Sequence, residues 1–260
     1  MIKLSDELLA DINALAEQAG QAIMEIYNAP DFAEKAQVKH KSDDSPLTSA
    51  DIKSHKILSN GITSLPCDTI PAFSVLSEES AHIPWHERQT WQTYWLIDPL
   101  DGTKEFIKQN GEFTVNIALI HNGEPILGSV YAPALKTSYS AAKNLGAFKN
   151  GKPIQARQNA HHETLKIVGS RSHPSPDMQA YLDQLNKPYE MVPMGSSLKL
   201  CLIAESEAHI YPRLGPTSEW DTAAAHAVVE AAGGSVTQVN GAPLRYNQKE
   251  SLLNPHFIAR

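Results

Sequence analysis

Asp98 and Asp101 stand three residues apart in Asp98-Pro99-Leu100-Asp101-Gly102-Thr103-Lys104, directly after the apolar run Tyr94-Trp95-Leu96-Ile97. Two carboxylates held this close repel each other unless positive charge lies between them, and a divalent cation supplies it most simply. Gly102-Thr103-Lys104 reads as the opening of a helix, whose unpaired N–H groups and dipole favour an anion such as phosphate. A metal ion and a phosphate in one turn point to phosphoryl chemistry. Further acids lie at element boundaries: Asp51 after Leu47-Thr48-Ser49-Ala50, Glu78 in Ser77-Glu78-Glu79, and Asp221 after Trp220. Taken singly, each has an ordinary explanation. A first-turn acid complements a helix dipole, and a Glu pair after a strand is commonly solvated. Convergence of several is what a metal site requires.

The elements that must bring them together can be read from periodicity and punctuation. Ser5 is a plausible N-cap for a helix whose apolar positions run from Leu8 to Ile26 and stop at Asn28-Ala29-Pro30. The polar stretch 39–46 reads as a loop. A second helix runs from Thr48 through Ile62 and puts Asp51 near its N-terminus. Residues 73–76 and 94–97 read as strands, the second stopped at Pro99, which disfavours strand continuation. If these two strands are neighbours, Glu78, Asp98 and Asp101 meet at one rim. Residues 85–91 read as a covering loop or short helix. Phe113 to Leu119 alternates toward an Asn122-Gly123 hairpin turn, and strands over 126–131 and 137–142 continue an antiparallel meander. From about residue 160 strands and helices alternate: strands at 165–169, 190–193 and 208–211, and helices at 176–185, 196–204 and 220–232, the last stopped by Gly233-Gly234.

Spacing excludes several chemistries. Counting from Asp98, the acids do not fall at EF-hand positions. An aspartyl nucleophile of the Asp-x-Asp-x-Thr type needs carboxylates two residues apart. There is no Walker A sequence, no His-Glu-x-x-His and no Gly-x-Ser-x-Gly. His161-His162 reads as a solvated loop pair, and Cys67 and Cys201 are too isolated for a disulfide framework or a thiolate zinc site. With 260 residues and 42% hydrophobic content the chain can bury a large core, and a net charge of -7 argues against a nucleic-acid polymer as partner. No stretch approaches the roughly 18 consecutive apolar residues of a membrane span, and Met1 to Glu7 lacks a signal-peptide core. A cytoplasmic location is expected, with peripheral association at the inner membrane left open and no protein partner predicted.

The motifs carry a resemblance. Asp98-Pro99-Leu100-Asp101-Gly102-Thr103, preceded by Ser77-Glu78-Glu79 and followed by Trp220-Asp221-Thr222-Ala223-Ala224 and Ala232-Gly233-Gly234, resembles the signature set of the inositol monophosphatase superfamily. Within it, Lys41 to Thr48, Leu100 to Phe106 and Gly111 to Asn116 resemble bacterial 3'(2'),5'-bisphosphate nucleotidases of the CysQ type. The resemblance implies an α+β, layered αβαβα sandwich (the sugar-phosphatase fold), with an antiparallel first sheet and a mixed α/β second half. Residues 1–158 would form the metal-binding half. Residues 159–260 would carry the nucleotide-binding residues and the last metal ligand. It implies two or three Mg²⁺ ions per site, lithium inhibition, and hydrolysis of the 3'-phosphate of adenosine 3',5'-bisphosphate and of its 5'-phosphosulfate analogue. Mapped by motif, Glu78, Asp98, Asp101, Asp221 and the Leu100 carbonyl would hold metal, and Asp51 and Thr103 would orient and deprotonate water. Glu78, Asp101, Gly102, Thr103, His173, Ser196, Lys199, Arg213 and Asp221 would contact substrate, Lys199 and Arg213 neutralising its 5'-phosphate. An inositol 1-monophosphatase is the alternative within the family, and a nucleotide-sensing module without turnover is the alternative outside it.

Overall fold

The computed structural model describes residues 2–41, 44–65, 74–80, 83–156, 163–169 and 176–260. His173, Cys67 and the His161-His162 pair lie outside these residues. Helix α1 (Asp6–Tyr27) is capped by Ser5, whose side chain accepts from the Leu8 N–H, with Asp6 and Glu7 in its first turn. After α2 (Phe32–Ala36), the short strands β1 (Lys39–His40) and β2 (Pro46–Leu47) pair as an antiparallel arm. Helix α3 (Ser49–Thr63) follows, then β3 (Ser74–Ser77), a 3-10 turn at Glu78–Ser80 and α4 (Trp85–Arg88).

Strand β4 (Thr93–Asp101) leads through α5 (Thr103–Ile107) into β5 (Thr114–His121), β6 (Glu124–Ala132), β7 (Thr137–Ala142), β8 (Gly146–Lys149) and β9 (Lys152–Ile154). With β3 these form one seven-stranded sheet in sequence order. Pairing is antiparallel from β4 to β9, as the hairpin signals predict, while β3 runs parallel to β4. In one respect the expectation fails. β4 does not stop at Pro99 but continues to Asp101, with its ladder to β5 interrupted between Asp98 and Asp101 and resumed at Asp101↔Thr114. An interrupted ladder tolerates the missing proline N–H.

Helices cover both faces of this sheet, so β4 is apolar on both. Trp95 and Ile97 face α1 and α3 in a cluster with Ile12, Ile23 and Leu58. Tyr94 and Leu96 face the other way, toward Ala223, Ala224 and Val228 of α8 (Glu219–Ala231) and Leu200 of α7 (Leu198–Ala204). Beyond α7 and α8 lies a second, mixed sheet. Its parallel pair is β10 (Leu165–Gly169) and β11 (Tyr189–Pro193), and its antiparallel trio is β12 (Tyr211–Arg213), β14 (Phe257–Ala259) and β13 (Val236–Gln238). A bridge from Ile167 to Ile210 joins the two groups. Helix α6 (Pro176–Asp183), between β10 and β11, buries Leu182, and its Tyr181 hydroxyl accepts from Arg260. The layers are thus helix, sheet, helix, sheet, helix.

The small residues of α8 let it lie directly on β6. A Cβ added at Gly128 would sit 2.1 Å from the Ala224 carbonyl oxygen and 2.9 Å from the Ala227 Cβ. Gly128→Ala must therefore separate helix and sheet. Overpacking of about 3 kcal/mol would lower the melting temperature by about 6 to 12 °C, measured by calorimetry; an unchanged transition would show that the interface has slack.

Candidate active site

Parallel pairing of β3 with β4 ends both strands at one rim, which is why Glu78 and Asp98 are adjacent and Glu78 raises the cost of ionising Asp98. Asp98 is 1% exposed, and its Oδ1 accepts the Leu100 N–H at 3.1 Å. Ser54 of α3 donates to the Pro99 carbonyl at 2.7 Å, bracing the interrupted stretch of β4. Gly102 then turns the chain with φ +92°, and an added Cβ there would meet the Glu112 carbonyl at 3.1 Å. Only glycine suits both constraints.

Two helix starts supply the remaining acids, and both do so through a capping box. At α3, Asp51 Oδ2 accepts the Thr48 N–H at 2.7 Å and the Thr48 hydroxyl at 2.5 Å. Its Oδ1 is left to accept the Thr103 hydroxyl at 3.1 Å, which brings the predicted water-activating pair together. At α8, Asp221 Oδ2 accepts the Ser218 N–H at 2.9 Å and the Thr217 hydroxyl at 2.7 Å. The capping role does not exclude a functional one, because each carboxylate has two oxygens and the cap engages one.

Among the described residues, Asp98, Asp101 and Asp221 each offer a ligand atom, and the three atoms lie within 4.8 Å of one another. Burial first, then Glu78, Asp101 and Asp221, holds the Asp98 carboxyl well above its ordinary range. Burial and Asp101 push Asp221 up to about 7. Burial raises Asp51 to about 6 against the lowering effect of the Thr48 hydrogen bonds. An all-oxygen, strongly anionic donor set of this kind fits a hard divalent cation such as Mg²⁺. Glu78 stands outside this group of three. Lys41, carried in by the β1–β2 arm, contacts it at 2.6 Å and Glu79 at 2.8 Å. Although burial works against it, these two carboxylates keep the Lys41 amine charged above its ordinary value.

A cavity of about 360 Å³ opens over the acids, lined on its far side by Ser196, Lys199 and Arg213. The Lys199 amine donates to the Ser196 carbonyl at 2.7 Å and lies 5.9 Å from the Tyr211 ring centre. Arg213 donates to the Pro216 carbonyl, while its buried Nε has no hydrogen-bond partner among the described residues. The Leu100 carbonyl accepts Thr103 Oγ1 at 3.3 Å at the same cavity edge. The predicted site residues thus line one cavity, except Asp51, which is buried behind it and bonded to Thr103, and His173, which lies outside the described residues. Sequence reading missed Lys41, Glu79, Glu112, Asn116 and Ser197 as contributors. It also missed the caps Thr48 and Ser218, although Thr-x-x-Asp and Ser-x-x-Asp are visible capping signals.

These electrostatics have a sign. A carboxyl whose folded value is raised stabilises the fold only while protonated, so its contribution is complete below the ordinary Asp value of about 4 and disappears as pH rises through the raised value, about 7 for Asp221. A bound divalent cation reverses this. The gain in melting temperature on adding Mg²⁺ should therefore be several-fold larger at pH 8 than at pH 5, by scanning fluorimetry; equal gains at both would contradict the arrangement.

The geometry has counterparts among known proteins. The inositol monophosphatase family matches residues 4–259. The chain is 49% identical over 254 residues to the 3'(2'),5'-bisphosphate nucleotidase CysQ of Escherichia coli O157:H7, covering 96% of this chain and 98% of that one. The crystal structure of CysQ from Bacteroides thetaiotaomicron superposes with a TM-score of 0.84 at 40% identity, covering 100% of this chain and 98% of the other. An IMPase from Thermotoga maritima shares the fold at 23% identity, with a TM-score of 0.76 over 97% of this chain and 91% of that one. With the acid motifs, the two-sheet layering and nearly the full length in agreement, the chain belongs to the inositol monophosphatase family.

Proposed function

We propose that the protein is a cytoplasmic, Mg²⁺-dependent 3'(2'),5'-bisphosphate nucleotidase that converts adenosine 3',5'-bisphosphate to AMP and phosphate, and acts likewise on the 5'-phosphosulfate analogue. The observation that carries this reading is the cavity itself, which has Asp98, Asp101 and Asp221 on one wall and Lys199 and Arg213 on the other. A substrate with two phosphates needs both walls. A single phosphate on a neutral ring needs only the first.

Two or three Mg²⁺ ions, held by Glu78, Asp98, Asp101, Asp221 and the Leu100 carbonyl, would supply charge neutralisation at the phosphate and a water of lowered pKa. The chain's own residues do the rest. The Thr103 hydroxyl, bonded to Asp51 Oδ1, receives a proton from the attacking water as its own proton passes to the carboxylate. Burial keeps Asp51 basic enough near neutrality, at about 6, to accept it. The water oxygen bonds to phosphorus while the bond from phosphorus to the 3'-oxygen breaks, in line and without a covalent enzyme intermediate, and the departing 3'-oxygen takes a proton from solvent to become the hydroxyl of AMP. Gly102 and Thr103, which line the cavity, would offer their N–H groups to the phosphate. Lys199 and Arg213 neutralise the 5'-phosphate, a task suited to the Arg213 Nε, which has no hydrogen-bond partner among the described residues.

Asp51→Asn should lower kcat by about 10²- to 10⁴-fold while adenosine 3',5'-bisphosphate still binds by calorimetry; undiminished turnover would refute the assigned base. Arg213→Ala should reduce kcat/KM for that substrate by about 10- to 100-fold, yet change that for adenosine 3'-monophosphate, which has no 5'-phosphate, by less than about threefold. Phosphate release measured over these nucleotides and inositol 1-phosphate tests the assignment as a whole. Faster release from inositol 1-phosphate would establish the inositol phosphatase instead, and lithium should inhibit in either case.

A further inference from the structure

Ser197 sits where the two walls of the cavity meet. It is 3% exposed, and its N–H and hydroxyl both reach Asp101 Oδ2, at 2.6 and 2.8 Å. The same hydroxyl oxygen lies 2.5 Å from the Asp221 carbonyl and accepts the Asn116 side-chain amide at 2.9 Å. With the Asn116 amide also 3.4 Å from Asp101 Oδ2, that carboxylate oxygen is surrounded by donors, which fix the orientation of the carboxylate that lies with those of Asp98 and Asp221. Asn116 is 1% exposed on β5 and gives a rigid base for the arrangement.

The residues on either side of Ser197 belong to the opposite wall. Ser196 adopts φ +45°, a left-handed conformation unfavourable to serine, so α7 begins only at Leu198 and Lys199 is carried toward the cavity. Gly195 donates its N–H to Glu112 Oε2 at 2.8 Å, and a Cβ at Gly195 would lie 2.8 Å from the Glu112 carbonyl. The loop from Gly195 to Lys199 is therefore held at both ends with little slack. A shift of the loop moves Ser197, and a shift of Ser197 turns Asp101.

We propose that Ser197, braced by Asn116, is a positioning residue that couples the nucleotide-facing loop to the metal ligands, so that occupancy of either wall tightens binding at the other without any direct bond between the two ligands. The proposal rests on the assignment of Asp101 and Asp221 to metal and of Lys199 to the nucleotide. Coupling of this kind is reciprocal. It differs from ordinary bridging of metal by a substrate phosphate, because it should act for a ligand that lacks the 3'-phosphate.

Mn²⁺ binding, followed by electron paramagnetic resonance in the intact protein, tests this without turnover. Adenosine 5'-monophosphate should tighten Mn²⁺ binding by about tenfold in wild type and by less than about twofold in Ser197→Ala. Without nucleotide, Ser197→Ala should weaken Mn²⁺ binding by about 10-fold or more. Glu112→Ala, which frees the Gly195 N–H, should weaken it less, and the double variant should bind no more weakly than Ser197→Ala alone. If Ser197→Ala does not fold, shown by loss of its thermal transition, Asn116→Ala takes its place and should likewise diminish the nucleotide effect. Multiplicative effects of Glu112→Ala and Ser197→Ala, or undiminished nucleotide coupling in Ser197→Ala, would overturn the proposal. Failure of wild type to bind Mn²⁺ would refute the metal assignment and this proposal with it. Failure of adenosine 5'-monophosphate to bind would refute the nucleotide assignment, and the Glu112/Ser197 cycle would then decide the link from loop to metal ligands.

Discussion

Mutual repulsion among buried carboxylates is the constraint on which the rest of the site depends. Asp98, Asp101 and Asp221 bring ligand oxygens within 4.8 Å of one another, with Glu78 beside Asp98. Such a group is unfavourable when ionised and unpaired, and either a proton or a bound cation relieves it. The fold does not soften the repulsion by moving the acids apart. It holds them on two elements, β4 for Asp98 and Asp101 and α8 for Asp221.

The capping boxes show how a chain makes such a site out of ordinary parts. Thr48 with Asp51 and Ser218 with Asp221 begin helices in a common way. In both, the cap engages Oδ2 and orients the carboxylate, and at Asp51 it leaves Oδ1 to accept the Thr103 hydroxyl. Helix starting and site building share one set of hydrogen bonds. Loss of either acid would therefore weaken a helix terminus as well as the chemistry, and an asparagine is the gentler replacement because its amide oxygen still serves the cap.

The opposite wall follows another logic. Lys199 and Arg213 bring positive charge into a chain whose net charge is -7, and neither is matched there by a carboxylate ion pair among the described residues. Burial lowers the Lys199 amine from its ordinary value, with Asp101 countering the effect. Cations near acids but hydrogen-bonded to backbone carbonyls are suited to an exchangeable anion. Lys41, by contrast, is paired directly with Glu78 and Glu79, on an arm that belongs to neither sheet core.

Much of this was legible in the residues alone. The acids, the glycine turn, the meander hairpins and the small-residue face of α8 each have a local signature, because they depend on neighbours within a few positions. The caps were equally local, though overlooked. Other features needed the folded chain. Parallel rather than antiparallel pairing of β3 with β4 decides whether Glu78 reaches Asp98, and no turn residue encodes it. The continuation of β4 past Pro99 depends on Ser54 of α3 and on β5. Ser197 rather than Ser196 touches Asp101, beside one left-handed backbone conformation at Ser196. Ser197 and Asp101 are 96 positions apart, Thr103 and Asp51 52. Contacts over such separations leave no periodicity or spacing to read. The sequence by itself determined which groups could do the chemistry; tertiary structure decided which oxygen of each faces the others, because that depends on donors brought in from distant segments.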